Sequence, residues 1–585
     1  MIIMERSAYY FLTFVIFLLF PMITASAAAQ GEQPATVVIE GGTLIDGNGG
    51  TPVQDAVIVI RGNKFEAVSR KGQASYPAGA QVISAAGKFV LPGLTDMHVH
   101  WEHWMPELFL AHGVTSAVDL AARDWQLNQK KAIAEGRMTG PRLFLTTPPL
   151  TGRLLWDMSF TRPLESAQMA RKLIQDAGPG RENYAVAKAY TELTAEQLQA
   201  IAEESHKAGR NVIAHLGSLD ARQAAELGVD AIAHASGVAL ATISDPVKAG
   251  ELQAFVRLGI SVDFPLYLMY HAFMDPSKVD ALIALLVQKR VRIEPDLINT
   301  ARWGAKRRAE FLAEDTKLLQ DPNLQYVPAD VREKILSYRP FEQLDSQQRA
   351  QLQRGYENLQ SFLRKFVQAG GTMLAGCDAA SFVLPGICLH RELELLVEAG
   401  LTPMQAIQAA TKNNAEFLQE RDMGTVEPGK LADLIVLRED PLADIKNFKT
   451  IDMVIKDGKV LDTRYHADFV NPLAEARRPF DISDPVPSVR AVFPMTAHQF
   501  HDVPLVIEGT NFVGDSVVEL DGVAVATSPV KNTMLRETAF NPIYTRLTAT
   551  IPGRVLNRIG DYKVVVKNPK PQGGTSNSVN FFVVQ

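Results

Sequence analysis

Six side chains able to bind a metal ion each stand at the end of a segment that reads as a buried β-strand. Imidazole and carboxylate suit a divalent ion of the zinc or manganese type, and strand ends that converge on one point can hold two such ions. Hydrolysis by metal-activated water is therefore the leading hypothesis for the chemistry. The six residues are His98, His100, Lys188, His215, His234 and Asp378.

The pair His98 and His100 in LTDMHVH has the spacing of a chelate. Residues two apart on a strand point to the same side, so both rings can reach one ion. The alternative is a pair of packing or surface histidines. His103 and His112 lie nearby and are equally able ligands, but neither has the strand-end placement.

The single histidines and the aspartate also have structural alternatives. His215 and His234 close successive apolar strands, where a lone histidine is more often a hydrogen-bonded core residue. Their occurrence at successive strand ends favours a ligand role. Asp378 in LAGCDAA can bind a metal and accept a proton as a general base, or it can cap the loop that follows.

Lys188 is the unexpected member of the set. Val186, Lys188 and Tyr190 share one face of a predicted strand, and a barrel interior on that side would bury the ammonium group. A buried lysine must be paired, neutral or chemically altered, because burying an unpaired charge is costly. A neutral amine can take up carbon dioxide to form a carbamate whose two oxygens bridge two cations. The alternative is a lysine whose charged end reaches the barrel rim.

The stretch from residue 184 to residue 237 alternates strands with helices. Thr194 is predicted to cap one helix, with Gln197 as its capping-box partner, and a second short helix is predicted over 221–227. Near-continuously apolar strands alternating with helices are typical of a parallel barrel inside a ring of helices. Such barrels place their chemistry at the C-terminal ends of the strands, where all six candidate ligands fall.

Short strands and turns flank this region on both sides, near residues 35–84 and 434–460. We expect the two flanks to pair into one composite sheet domain, because the ends of a domain usually lie close together. A helical insertion is predicted over about 299–368, a place where barrel enzymes build substrate pockets. The seventh barrel strand is ambiguous, because GISVDFPL and VRIEPDLI both read as strands.

Several segments in this order resemble the amidohydrolase superfamily, in its imidazolonepropionase-like and prolidase-like branch. They are KFVLPGLTDMHVH, AVAKAYTELTAEQLQAIAEESHKAGRNVIAHL, GVDAIAHAS, LAGCDAA, LHRELELLVEAGLTPMQAIQAAT and MGTVEPGKLADLIVL. The resemblance covers about residues 37–461. It implies an α/β fold, a distorted (β/α)8 TIM barrel over 91–420 beside a composite β-sandwich from 35–90 and 421–470.

The resemblance also implies a binuclear metal centre and a role for each ligand. His98 and His100 would bind the first metal, and His215 and His234 the second. Lys188, as N6-carboxylysine, would bridge both ions, while Asp378 would complete the first site and act as the base. Two residues are expected in the substrate pocket, His390 in LHRE and Tyr190. AIAHAS lacks the acidic residue that often precedes the histidine of this strand, which leaves the support of His234 open.

Composition and the N-terminal segment indicate which partners and which cellular location to expect. The net charge of −6 over 585 residues provides no basic stripe, so no nucleic-acid partner is expected. An apolar run from Tyr9 to about Ile23 before an alanine-rich tract predicts a cleaved signal peptide over 1–29 and a periplasmic or extracellular location. A membrane anchor is the alternative, but the run is short for one. Two cysteines form no disulfide scaffold, and Cys377 is interpreted as a small apolar core residue.

The last hundred residues read as a separate module after a Pro-rich linker over 471–486. Short strands in 487–585 predict an immunoglobulin-like β-sandwich, and GTNF, LDG and NPKPQGGTSNSVNFFV resemble IPT/TIG domains. That family implies an interaction or spacer role, which leaves a glycan, an envelope component or the catalytic domain open as its partner.

The sequence as a whole predicts an exported binuclear metal-dependent amidohydrolase. It would hydrolyse the C–N bond of a dipeptide or another small amide through a metal-bridging hydroxide, with zinc as the expected metal and manganese as the alternative. Lactone or phosphotriester hydrolysis at the same centre stays open, as does a non-enzymatic surface protein that uses the C-terminal module. The substrate and the oligomeric state are not determined.

Overall fold

A computed structural model describes most of the chain after the predicted signal peptide. The signal peptide and most of the Pro-rich linker lie outside the described residues. Among the described residues, no helix combines the length and the apolar composition needed to cross a bilayer. The described residues are 36–73, 75–152, 161–178, 183–257, 264–299, 305–337, 344–379, 383–473, 486–530, 534–536, 543–569 and 574–585.

Eight parallel strand segments close into a barrel. Seven are regular strands, each paired with the next, with strands three and four joined by a bridge between Thr146 and Val186. The eighth segment pairs with strand seven at Met373 and with strand one at Ala379. The predicted TIM barrel is therefore confirmed. The regular strands, called barrel strands one to seven, are Leu94–Val99, Val114–Asp119, Arg142–Leu145, Val186–Ala189, Asn211–Ala214, Ala231–Ala233 and Arg292–Glu294.

The pairing also identifies barrel strand seven. Arg292–Glu294, in the segment VRIEPDLI, lies between strand six and the eighth segment. Residues 259–263 of the competing segment lie outside the described residues, and a helix over Phe264–Tyr270 follows them. Helices fill the connection between strands six and seven.

Local capping signals mark the helices of the alternating region. Thr194 accepts a hydrogen bond from the backbone N–H of Gln197, and the Gln197 side chain accepts one from the backbone N–H of Thr194. This predicted capping box satisfies N–H groups at the start of a helix. The helices are Pro106–Ala111, Asp124–Ala134, Ala167–Asp176, Ala195–Lys207, Ala221–Glu226, Val238–Thr242, Pro246–Arg257, Phe264–Tyr270, Pro276–Lys289, Ala305–Leu319, Ala329–Ser337, Ser346–Gln368, Ile387–Glu398, Pro403–Ala409 and Lys412–Phe417.

Strands from both flanks of the barrel form one eight-stranded sheet. Leu434–Leu437 pairs antiparallel with Phe89–Pro92, so the chain returns after the barrel to the sheet that it left before it. This pairing explains why the strand-like patterns occur on both sides of the barrel sequence. The strands, in chain order, are Thr36–Leu44, Val53–Arg61, Lys64–Arg70, Gln81–Ser84, Phe89–Pro92, Leu434–Leu437, Ile451–Lys456 and Lys459–Val460.

The C-terminal region is rich in β-structure around its own buried apolar core. Nine strands lie between residues 488 and 584, and core residues such as Ile507, Leu547 and Phe581 come from widely separated strands. The strands are Ser488–Phe493, Thr496–His498, Val503–Phe512, Val517–Leu520, Val523–Pro529, Met534–Arg536, Ile543–Ile551, Gly560–Lys567 and Val579–Val584.

The two cysteines are joined in the structure, which corrects the interpretation of Cys377 as a plain core residue. Both side chains are fully buried, and a disulfide links Cys377 to Cys388. Their Cα atoms are 5.7 Å apart, within the range that a disulfide spans. The pairing could not be inferred from the sequence, because it depends on the start of helix Ile387–Glu398 lying beside the eighth barrel segment.

A buried ion-pair network attaches the inserted helices to the barrel. Arg391 of helix Ile387–Glu398 donates hydrogen bonds to Asp315 over 2.8 Å and to Glu314 over 3.0 Å, both on helix Ala305–Leu319. The guanidinium also lies 5.1 Å from the centre of the Phe311 ring. Arg391 and Asp315 are both inaccessible to solvent. Removal of Arg391 would break a fully buried ion pair, a change that usually destabilises a protein strongly.

We expect Arg391→Ala to lower the free energy of unfolding by about 3–5 kcal/mol, because it removes one member of a fully buried ion pair with Asp315. Equilibrium denaturation in urea would measure this. The control is Arg464→Ala, which removes an arginine whose side chain is 82% exposed and paired with Asp462. Its stability should stay close to that of the wild type. Equal effects of the two substitutions would show that the buried network does not anchor the insertion.

Candidate metal centre

The described residues bring all six predicted ligands to the C-terminal end of the barrel. His98 lies in strand one and His100 comes directly after it, while Lys188 lies in strand four and Asp378 in the eighth segment. The other two ligands, His215 and His234, come directly after strands five and six. Side chains distant in sequence meet here because parallel strands present their carboxyl ends at one face of a barrel.

The first group consists of His98, His100 and Asp378. Oδ1 of Asp378 lies 2.8 Å from Nε2 of His100 and 3.5 Å from Nε2 of His98. Asp378 has a left-handed backbone φ of 50°, a conformation that aspartate tolerates better than most residues. The three side chains therefore present two imidazole nitrogens and one carboxylate oxygen toward a common point.

The second group consists of His215 and His234. Their ring centres are 4.6 Å apart, and the ring of His234 lies 4.7 Å from that of His98. Single ligand atoms of His98, His234 and Asp378 all lie within 4.8 Å of one another. The two groups are thus neighbours, at a separation that suits a pair of ions in one site.

Lys188 lies among these ligands and is 1% exposed. Among the residues that the structure describes, none forms a hydrogen bond with its Nζ atom. Burial lowers the pKa of Lys188 to about 8, although Glu294, Asp378 and Asp296 oppose the shift. A substantial part of the amine is therefore neutral near physiological pH. A buried, unpartnered amine amid metal ligands is suited to conversion into a carbamate.

Strand seven supplies carboxylates that orient two of the histidines. Oε2 of Glu294 lies 3.1 Å from Nδ1 of His98, and Oδ2 of Asp296 lies 2.8 Å from Nδ1 of His234. A carboxylate on Nδ1 turns the Nε2 atom toward the centre, the arrangement common around protein metal sites. The support of His234 thus comes from the next strand. Sequence reasoning missed both acids, although EPD at a predicted strand end carried a signal.

Two further polar residues connect the ligands. The amide Nδ2 of Asn299 donates to Oδ2 of Asp296 and to Oδ2 of Asp378, each over 2.8 Å. Asp96 accepts hydrogen bonds from the backbone N–H groups of His98 and Cys377, at 3.2 and 3.1 Å. Asp96 therefore ties strand one to the eighth segment directly beneath the first group.

The electrostatic environment of the cluster favours bound cations. Burial, with neighbouring carboxylates, raises the pKa of Glu294 and of Asp296 well above the ordinary range, and burial lowers the pKa of His98 and His234. Burial also favours neutral Asp378, but the adjacent His100 outweighs it and lowers the pKa of this carboxyl. Neutral imidazoles among buried carboxylates are a donor set for divalent cations, whose charge would stabilise the ionised acids. The residues present fit the expected metals.

The two predicted pocket residues, Tyr190 and His390, lie in different surroundings. Tyr190 packs against His215, with ring centres 5.1 Å apart. His390 is buried away from this contact, where its Nε2 lies 2.8 Å from the backbone oxygen of His112 and its ring packs on Phe448. The described contacts therefore bring Tyr190 to the metal ligands and His390 to a separate cluster.

The other two histidines near strand one, His103 and His112, lie against the segment that follows the composite sheet. Nε2 of His112 lies 2.8 Å from the hydroxyl of Tyr465, and the backbone oxygen of His103 accepts from the side chain of Asn471 over 3.1 Å. Both contacts hold the segment that follows the composite sheet against the barrel.

We expect Gly376→Ala to lower activity about 100-fold and to reduce the metal retained on dialysis, because displacement of a ligand by about 1 Å has an effect of this size. A Cβ atom at this position would lie 2.7 Å from Cβ of His98 and 2.9 Å from Oε1 of Glu294. Metal analysis and rate assays would measure both effects. Gly250→Ala is the matched control, because a Cβ atom there would meet nothing within 4 Å. Full activity of Gly376→Ala would contradict the close packing around His98.

Comparison with known proteins places the barrel in a family. Residues 89–461 match the amidohydrolase family. An adenine deaminase of Mesorhizobium japonicum is 25% identical over 436 residues, which are 70% of this chain and 55% of the deaminase. An ochratoxinase of Aspergillus niger is 38% identical over 121 residues, which are 20% of this chain and 24% of the ochratoxinase. The chain thus spans about half the length of the first relative and less of the second.

Solved structures show the same fold. The crystal structure of Aspergillus niger ochratoxinase has a TM-score of 0.53 at 19% identity and covers 77% of this chain and all of the ochratoxinase chain. A Xaa-Pro dipeptidase with methionine in its active site has a TM-score of 0.52 at 21% identity, over 73% of this chain and all of the dipeptidase chain. Because the family match extends over more than half of its residues, the chain belongs to the amidohydrolase family, a family of hydrolases that act on C–N bonds.

Proposed function

We propose that this protein is a metal-dependent hydrolase that cleaves a C–N bond at a centre of two divalent ions. The observation that carries the proposal is the buried amine of Lys188 amid two histidine pairs and a carboxylate at the carboxyl ends of the barrel strands. Members of the amidohydrolase family typically use divalent metals, and the donor set fits such ions. Zinc is the expected metal because imidazole dominates the set, with manganese as the alternative.

Each ligand has a proposed place. His98, His100 and Asp378 would hold the first ion, His215 and His234 the second, and carboxylated Lys188 would contact both. When bound, the ions would lower the pKa of a water molecule and polarise the carbonyl group of the substrate. The remaining steps fall to the side chains of this chain.

Asp378 is the proposed general base and acid. Its Oδ1 atom faces the Nε2 atoms of His98 and His100, so it lies at the point where the attacking water would be placed. The carboxylate would take a proton from that water at Oδ1 and return it to the departing nitrogen, which leaves as a neutral amine. The lowered pKa of Asp378 keeps the group ionised and ready to accept the proton.

The modification of Lys188 is a balanced addition. The lone pair of the neutral Nζ atom attacks the carbon of carbon dioxide, and an N–C bond forms as one C=O π bond breaks and its electron pair moves to oxygen. One proton then leaves the nitrogen for solvent. The product is an anionic carbamate with two oxygen ligands. It replaces a buried amine that lacks a hydrogen-bond partner with a group that the surrounding cations would stabilise.

We propose a dipeptide or an N-acylated amino acid as the substrate class. The support is the fold likeness to a Xaa-Pro dipeptidase and to ochratoxinase, together with Tyr190 beside His215 as a pocket residue. The sequence favours His390 over Tyr190 as the pocket residue, but we propose Tyr190 first, because the contacts of His390 are with His112 and Phe448. A lactone or a phosphotriester is the competing substrate class, and parallel assays with all three would separate them.

We also propose that the protein is exported and that residues 487–585 are an IPT/TIG-like interaction module. The apolar run before the alanine-rich tract supports export, and the disulfide between Cys377 and Cys388 suits an oxidising compartment. The nine C-terminal strands around one core support an immunoglobulin-like module, whose partner would be a glycan or an envelope component.

We expect about two metal ions per chain in protein purified with bicarbonate and divalent ions. Lys188→Ala should lose much of this metal, because the variant cannot form the carbamate whose oxygens would help to hold the ions. Asp378→Asn should keep most of the metal but fall about 100-fold or more in turnover, because the amide cannot accept the proton. Elemental analysis and rate assays on the same samples would measure this. A wild type without tightly held metal would exclude the proposed function.

We expect carbamate formation on metal-free protein to follow the neutral fraction of Lys188. With the pKa lowered to about 8, the ammonium form dominates below pH 8, so the rate should rise about tenfold per pH unit there and level off above pH 8. Carbon NMR with labelled bicarbonate would follow the signal, with rates divided by the dissolved carbon dioxide concentration. Lys188→Ala is the control that should lack the signal. A rate still rising to pH 10 would indicate an ordinary, solvated lysine.

A further inference from the structure

Strand seven and the turn that follows it contribute a buried polar unit that the six ligands do not include. It comprises Glu294, Asp296 and Asn299, which are at most 5% exposed. The two acids each hold one histidine ring, whereas Asn299 contacts carboxylates on two different barrel segments. We propose that Asn299 is a positioning residue that fixes the Asp378 carboxylate and couples it to the Asp296–His234 pair. The inference rests on the proposed hydrolytic function, in which Asp378 moves the proton.

Both hydrogens on the side-chain nitrogen of Asn299 are donated in hydrogen bonds. An amide nitrogen carries two hydrogens, and Nδ2 of Asn299 has two carboxylate acceptors at 2.8 Å, Oδ2 of Asp296 and Oδ2 of Asp378. A single side chain thus joins the carboxylate that orients a second-group histidine to the carboxylate of the first group.

This contact assigns different tasks to the two oxygens of Asp378. Oδ2 is held by Asn299, whereas Oδ1 faces Nε2 of His100 at 2.8 Å and Nε2 of His98 at 3.5 Å. If Oδ2 were free, the carboxylate could rotate about its last bond and present either oxygen to the centre. The amide therefore selects one rotational state, which keeps the proton-accepting atom in place for each turnover.

The backbone around Asn299 is held independently of its side chain. Pro295 fixes its own φ, Asp296 adopts a left-handed φ of 52°, and the N–H of Asn299 donates to the backbone oxygen of Asp296 over 3.2 Å. The N–H of Ile298 donates to Oε2 of the buried Glu392 over 2.7 Å. Loss of the Asn299 amide should therefore leave the turn folded and affect mainly the two carboxylates.

Two substitutions test the role, Asn299→Ala and Asn299→Asp. The aspartate variant keeps the shape but replaces the donor with a third carboxylate, so it separates the hydrogen bond from packing. The matched control is Asn413→Ala, which removes an amide donated to the backbone oxygen of Met373 over 3.0 Å, away from the metal ligands. Each variant would be analysed for metal content, thermal unfolding, kcat and KM on a dipeptide that the wild type hydrolyses.

We expect kcat to fall about 10- to 100-fold in both Asn299 variants, the range seen when a residue that orients metal ligands is removed. KM should change by less than about threefold, because substrate binding does not need the proton transfer. Metal content should stay near that of the wild type, and Asn413→Ala should retain its kcat. Cobalt-substituted Asn299→Ala should also show an altered absorption spectrum, because an oxygen ligand is less firmly oriented.

A wild-type kcat in Asn299→Ala would overturn the inference, and so would full activity in Asn299→Asp, since the amide donor would then be unnecessary. Metal loss in proportion to kcat would also overturn it in favour of a role in metal retention. A crystal structure of metal-free Asn299→Ala provides a test that needs no turnover. A rotated Asp378 supports the inference, and an unmoved Asp378 refutes it. A wild type that binds no metal and hydrolyses no amide would contradict the proposed function and leave this structural result standing.

Discussion

Closure of the barrel between its last and first strands is the constraint on which the site depends. The backbone N–H of His100 donates to the oxygen of Ala379 over 2.8 Å, and that of Met97 donates to Ala375 over 3.0 Å. These bonds set the register between the H-x-H strand and the segment that carries Asp378. Because a shift of one residue turns every side chain to the opposite face, this register decides whether the histidines and the carboxylate meet.

Closure of the barrel also buries several ionisable side chains close together, an arrangement that is rare in folded proteins. Glu294, Asp296 and Asp96 are inaccessible to solvent, and Lys188 is nearly so. Burial of so many ionisable groups opposes folding unless cations or hydrogen bonds compensate. The hydrogen bonds from Asn299 and from backbone N–H groups compensate part of this cost, and divalent ions are the fitting complement for the rest. Stability and the proposed chemistry therefore depend on the same side chains.

In the described part of the chain, the composite sheet and the inserted helices support the barrel, whereas the six candidate ligands come from the barrel segments. The composite sheet joins both ends of the barrel sequence through pairing of Leu434–Leu437 with Phe89–Pro92. The Arg391 network holds helix Ala305–Leu319 against helix Ile387–Glu398, whose buried Glu392 in turn supports the turn after strand seven. Buried polar contacts thus connect the inserted helix Ala305–Leu319 to the turn after strand seven, beside the candidate metal centre.

Much of the fold and the choice of candidate ligands could be predicted from the sequence, because both depend on local patterns. Apolar strand runs, the Thr194 capping box and strand-end placement of the six ligands each involve residues close in sequence. The contacts of His390 could not be predicted in this way, because a position in a sequence motif does not show which side of its helix faces the site.

Tertiary structure alone decided which groups support the ligands. Glu294 meets His98 across 196 residues, and Asp296 meets His234 across 62. Strand seven could be identified only from the strands with which it pairs. The disulfide partner of Cys377 depends on the position of helix Ile387–Glu398 in the folded protein. The sequence by itself determined the element types and the candidate ligands, because periodicity and capping are local. The orientation of each ligand was decided by barrel closure, because strand register and hydrogen-bond partners arise only when distant segments pack together.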